Sequence, residues 1–120
     1  MILVDTSVWI DHFRGKVRLL EDLLHLGEVA THPFVIGELA CGNINNRREI
    51  LSLLSALPTL TVASHAEALY LVEGRKLHGR GIGWIDIHLL ASSLVNHVPL
   101  WTRDKKLNAF AQCLGIARME

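Results

Sequence analysis

The chain has 120 residues, enough for one domain over 1–120 with a core that needs no covalent staples. Half of it is hydrophobic and only 6% aromatic, so the core is aliphatic and a disordered chain is excluded. Twelve basic residues balance 12 acidic ones, which argues against a polyanion binder driven by net charge alone.

Ile2-Leu3-Val4 is a short apolar run that ends in Asp5, and it reads as a strand buried on both faces. A short helix follows from Ser7 to Arg14, stopped by Gly15. Val17, Leu19, Leu20, Leu23, Leu24 and Leu26 repeat at helical spacing up to Gly27. Glu28 to Thr31 reads as a second strand. Pro33 opens a helix through Phe34, Val35, Ile36, Glu38, Leu39 and Cys41, which ends near Gly42. Arg47 to Leu57 is a further helix, stopped by Pro58, and Leu60-Thr61-Val62 reads as a third strand. His65 to His78 is helical. Gly79, Gly81 and Gly83 punctuate a loop, and Asp86 to Asn96 is helical again. Val98 to Thr102 reads as a fourth strand, Lys105 to Leu114 as a last helix, and Ile116-Ala117 as an added edge strand.

Strands that alternate with helices need crossover connections, hence an α/β fold with a parallel sheet covered by helices on both faces. Ligands of such sheets bind outside the carboxyl ends of strands, where the strand order reverses. Asp5, at the end of the first strand, and Asp104, just beyond the fourth, stand at such ends. The opening Met1-Ile2-Leu3-Val4-Asp5 is too short for a signal peptide, and nothing approaches a membrane span, so a soluble cytoplasmic protein is expected. Cys41 and Cys113 lack metal-ligand spacing and read as reduced core thiols.

Asp5, Asp86 and Asp104 each have a plain explanation. The first and last suit helix caps, and the second suits the first turn of a helix. Glu38 is harder to dismiss, because a carboxylate in so apolar a helix must reach water, a partner or a metal. If the four acids share one cleft, they repel one another and stay ionised together only around cations. All-oxygen ligation suits Mg²⁺ or Mn²⁺, and such sites support phosphodiester hydrolysis. With these four neutralised, eight acids face 12 bases, a modest positive excess for an RNA strand.

At these residues the chain resembles the PIN-domain nucleases, and within them the VapC toxins of bacterial toxin–antitoxin pairs. Met1-Ile2-Leu3-Val4-Asp5-Thr6-Ser7-Val8-Trp9-Ile10-Asp11-His12 is similar to the family's opening strand and turn. His32-Pro33-Phe34-Val35-Ile36-Gly37-Glu38-Leu39 is similar to its second motif. Gly81-Ile82-Gly83-Trp84-Ile85-Asp86-Ile87-His88 is similar to its third, and Leu100-Trp101-Thr102-Arg103-Asp104-Lys105 to its fourth. The four motifs run in family order over essentially the whole chain. The resemblance implies a PIN-like three-layer α/β/α sandwich with a central parallel sheet of four or five strands. It implies a metal-dependent endoribonuclease with a cognate VapB-type antitoxin, generally a homodimer, whose antitoxin arm often sets a basic side chain against the acids. Asp5, Asp86 and Asp104 would hold Mg²⁺ or Mn²⁺, Asp104 partly through water. Glu38 would orient a ligand or the attacking water. Thr6 or Ser7, and Thr102, would supply hydroxyls.

His88 departs from the small or aliphatic residue of the wider family and reads as a packed or interface histidine. Trp9, Trp84 and Trp101 are flanked by apolar residues and read as core or dimer packing. Arg14, Arg80 and Arg103 lie near motif edges, and for each a solvated surface role outweighs a phosphate contact. A phosphotransfer receiver domain is the nearest rival fold. It needs an aspartate after its third strand, where this chain has Ala63-Ser64. A partner that binds its antitoxin without cutting anything is the second rival, and the presence of all four acids speaks against it.

Overall fold

The computed structural model describes residues 1–118 and 120. Among them are three strands and seven helices: β1 (Ile2–Val4), α1 (Thr6–Gly15), α2 (Arg18–His25), β2 (Val29–Ala30), α3 (Pro33–Cys41), α4 (Arg47–Ser55), α5 (His65–Gly74), α6 (Trp84–Asn96), β3 (Leu100–Trp101) and α7 (Lys105–Cys113). The sheet is parallel with order β2-β1-β3, so β1 is central and the chain crosses to its other side between β2 and β3.

The all-apolar β1 is buried on both faces, and its backbone pairs Ile2 with Val29 and Leu3 with Leu100. The core around it is aliphatic. Leu3, Val4, Val8, Leu20, Val35, Leu89, Leu90 and Leu100 have no exposed surface. Each such side chain contributes about 1.5–3 kcal/mol of transfer free energy.

The sheet is shorter than the four or five strands expected. Leu60-Thr61-Val62 does not form a strand. Only Thr59 bridges Thr31, and Leu60 donates to the Thr31 carbonyl at 3.0 Å. Beyond that point the side chain of Asn96 captures the backbone of Thr61, accepting from its N–H at 3.2 Å and donating to its carbonyl at 2.8 Å. The ladder therefore stops after one bridge. On the other edge Ala117 makes a single bridge to Leu100, where an edge strand was expected.

The cysteines depart from expectation too. Cys41 and Cys113 are both exposed, because each is the last residue of its helix and lies past the buried stripe. The remaining elements lie within a few residues of their sequence-based limits. The largest shift is in α5, which ends at Gly74 rather than His78, and α6 starts at Trp84 on Gly83 and so places Asp86 inside the first helical turn. None of the helices is long and apolar enough to cross a membrane among the described residues.

Candidate active site

Asp5 leaves the carboxyl end of the central strand and is 5% exposed. It caps α1, accepting from the Ser7 N–H at 3.4 Å. The same oxygen, Oδ2, accepts from the Ser7 hydroxyl at 2.7 Å and from the Thr102 hydroxyl at 2.7 Å. Ser7 Oγ and Thr102 Oγ1 lie 3.2 Å apart, and the Arg103 N–H donates to Ser7 Oγ at 2.9 Å. Thr102 follows β3, so two neighbouring strand ends are tied together through one carboxylate oxygen.

Asp104 caps α7, with Oδ1 accepting from the Leu107 N–H at 2.9 Å, while its own N–H donates to Thr102 Oγ1 at 3.0 Å. Glu38 is exposed near the end of α3 and accepts from the Thr6 hydroxyl at 3.0 Å on Oε1. Thr6 and Ser7 thus divide the work, one holding Glu38 and the other Asp5. Asp86, half-buried, accepts no hydrogen bond among the described residues. The capping explanation therefore fits Asp5 and Asp104, and Asp86 stands in the first turn of α6, where a carboxylate suits the helix dipole.

Asp86 also carries the clearest electrostatic signature. Burial pushes its carboxyl up to about 6, and the nearby charges of Asp5, Asp104 and Glu38 push in the same direction. Asp5, Glu38 and Asp104, each from a different element, thus lie near enough to Asp86 to raise its carboxyl by their charge. Among the described residues each of the four acids keeps at least one oxygen with no protein donor: Asp5 Oδ1, Glu38 Oε2, Asp104 Oδ2 and both oxygens of Asp86. Among the described residues no group of three or more His, Cys, Asp or Glu side chains stands close enough together to hold a metal ion by itself. An open set of hard oxygen donors suits a cation that retains several waters and takes one or two carboxylates, as Mg²⁺ does. The residues fit such an ion.

The family is decided by sequence. A family model described as PIN domain matches residues 2–112. The chain belongs to the PIN-domain family. Its branch is the VapC type. Ribonuclease VapC32 of Mycobacterium tuberculosis, in strains CDC 1551 / Oshkosh and ATCC 25618 / H37Rv, is 49% identical over 121 residues, covering 100% of this chain and 98% of that protein. Among solved structures, the crystal structure of PAE2754 from Pyrobaculum aerophilum superposes with a TM-score of 0.63 at 19% identity, covering 90% of this chain and 77% of that one. That likeness bears on the fold alone.

Several neighbours of the cluster were not legible in sequence. Arg103 is a surface arginine, but a paired one. It pairs with Asp11 at 3.0 Å and with Glu120 at 2.8 Å, and both carboxylates hold its guanidinium more firmly protonated than usual. Arg80 stacks its guanidinium 4.9 Å from the Phe110 ring centre. Trp9 and Trp101 are core residues, whereas Trp84 is exposed. His88 is packed, as its place on the helix suggested. Its ring meets Trp84 at 4.8 Å and Phe34 at 5.0 Å. His32 was passed over in sequence, yet it is fully buried and joins α3 to α6 through Ser92 at 3.0 Å. The only sequence signal for it is a histidine directly before the proline that opens a helix.

Proposed function

We propose that this chain is a divalent-metal-dependent endoribonuclease, the toxin of a VapBC-type pair that works as a homodimer and is restrained by a VapB-type antitoxin. The observation that carries the reading is that Asp5, Glu38 and Asp104, each from a different element, lie near enough to Asp86 to raise its carboxyl by their charge. The name of the Mycobacterium tuberculosis relative supports RNA as the substrate.

In this reading Asp5, Asp86 and Asp104 hold Mg²⁺ or Mn²⁺. When bound, the cation supplies Lewis acidity and neutralises charge at the phosphodiester. The chain's own part is positioning. Ser7 and Thr102 donate to a single oxygen of Asp5 and so turn the other oxygen outward from the pair of hydroxyls. Thr6 fixes Glu38 in the same way, which sets that carboxylate to orient the attacking water and accept its proton. Asp104 is held by the first turn of α7. Holding these groups in place before the substrate arrives is how preorganised sites lower a barrier.

The test is cleavage of RNA by purified protein. Activity is expected with Mg²⁺ or Mn²⁺ and is expected to vanish in EDTA. Asp5→Asn and Asp86→Asn are each expected to lower the rate by at least about a hundredfold, a typical loss when one preorganised electrostatic group is removed. Full cleavage in EDTA, or by either variant, overturns the assignment.

A further inference from the structure

The three tryptophans differ sharply in exposure. Trp9 is 3% exposed, Trp101 is fully buried, and Trp84 is 40% exposed. An indole left that open loses hydrophobic stabilisation unless something else covers it. We infer that Trp84, held by His65 and His88 two residues before Asp86, is a stacking platform for a base of single-stranded RNA beside the carboxylate cluster. The inference rests on the nuclease reading above.

Position is the first argument. Trp84 opens α6 and Asp86 follows in the same turn, about 3 Å further along the helix axis. The ring is linked to the helix that carries Glu38 only through His88. Trp84 meets His88, His88 meets Phe34 at 5.0 Å, and Phe34 lies one turn before Glu38 on α3. Two residues apart, the side chains of Trp84 and Asp86 leave the first turn on different sides, so a strand that crosses the entry of α6 with a phosphate at the carboxylates carries a neighbouring base toward the indole.

Orientation is the second. His88 meets the indole at 87° and His65 meets it at 59°, with centres 4.8 and 5.2 Å away. Neither ring stacks parallel to it. A flat aromatic partner for the indole is thus missing among the described rings, and a nucleobase supplies one. Stacking of this kind accepts any base, because every base has a π face.

Rigidity is the third. The row runs His65, Trp84, His88, Phe34, His32, with Phe34 and His32 5.1 Å apart. His32 is fully buried and bonded to Ser92, so the row is anchored in the core at one end and open to solvent at the other. Its members come from the first turns of α3, α5 and α6, with His32 as the cap of α3 and His88 one turn into α6. A platform fixed in this way loses little conformational freedom when a base lands on it.

The experiment uses the full chain carrying Asp86→Asn, so that bound RNA survives. Hexamers of uridine and of adenosine, and a ribose-phosphate hexamer without bases, are titrated while indole emission is followed. The base-bearing hexamers are expected to quench emission. Adding Trp84→Ala is expected to weaken their binding about ten- to hundredfold, to leave the base-free hexamer unaffected, and to abolish the quench. Trp84→Phe is expected to keep most of the affinity. With Asp86 intact, Trp84→Ala is expected to raise KM for the hexamers far more than it lowers kcat. Equal weakening of base-bearing and base-free hexamers overturns the inference, since the ring then acts through the fold. Unchanged affinity overturns it as well. So does a fall in sedimenting mass on Trp84→Ala, which assigns the ring to an interface between copies. Wild-type cleavage alongside indifference to Trp84 sinks this inference alone, whereas a wild type that neither cuts nor binds RNA sinks it together with the nuclease reading.

Discussion

Asp86 is the residue on which the site's tension collects. Its carboxyl is half-buried, has no protein donor, and feels three like charges, so burial and repulsion together push it up to about 6. A carboxyl whose folded value lies above its unfolded value costs the fold stability wherever it is ionised. That cost is absent below about pH 4 and complete above about pH 6. Asp86→Asn removes the charge and keeps the shape. In metal-free protein at pH 7.5 it is expected to raise stability, on the order of 1–2 kcal/mol after allowance for solvent at this half-open position. Urea unfolding of the metal-free variant and wild type side by side checks this, and a variant less stable than wild type would refute it. The same substitution is the one expected to silence cleavage, a trade of stability for chemistry that strained sites commonly make.

At the scale of elements, the polar link between α3, α6 and the loop before α5 shows what holds the helices in place. His32 caps α3 by accepting the Phe34 N–H on Nδ1 at 3.0 Å, so in the neutral ring Nε2 carries the hydrogen and donates to Ser92 Oγ at 3.0 Å. Ser92 Oγ also accepts from the Ala63 N–H at 3.0 Å. A proton on Nδ1 would face the Phe34 N–H and break the cap. Burial, with a smaller push from the nearby His88, lowers the ring to about 4. The unfolded chain takes up a proton near 6.5 and the folded one does not. The link therefore stabilises fully above pH 6.5, and its contribution is lost as pH falls toward about 4. The loss amounts to about 3 kcal/mol across that window. His32→Asn keeps an oxygen acceptor at the cap and removes the titration. Its stability is expected to fall less steeply than that of wild type between pH 6.5 and 4.5, as followed by chemical denaturation. Parallel slopes for the two proteins would show that His32 does not control the acid limb. Sequence reasoning missed this link because it joins residues 60 positions apart, and no local pattern marks a buried histidine.

For the whole molecule, the legible parts are those with a local cause. Pro33 and the apolar run before Asp5 each mark an element boundary through their own backbone or burial preference, and the structure has α3 and β1 there. Leu60-Thr61-Val62 misled because β-branched residues read as a strand, whereas the distant Asn96 takes the hydrogen bonds that a ladder needs. The acids were legible one by one through their motifs. Their mutual repulsion was expected if they shared one cleft, but that Asp86 bears most of it was not legible, because its half-burial depends on how α6 packs. The parallel topology makes a cation at the carboxyl edge a global fastener. An ion held there ties the ends of β1 and β3 to the first turn of α6, and it binds only the folded chain. At one hundred times its dissociation constant, such an ion adds about 2.7 kcal/mol. In a domain of this size that raises Tm by roughly 10 °C. Scanning calorimetry with and without Mn²⁺ is expected to show a rise for wild type, none for the double variant Asp5→Asn, Asp86→Asn, and a full rise for a surface control such as Glu49→Gln. An equal rise in the double variant would place the ion elsewhere on the protein, and the acidic edge would then be a feature of the fold rather than its metal centre.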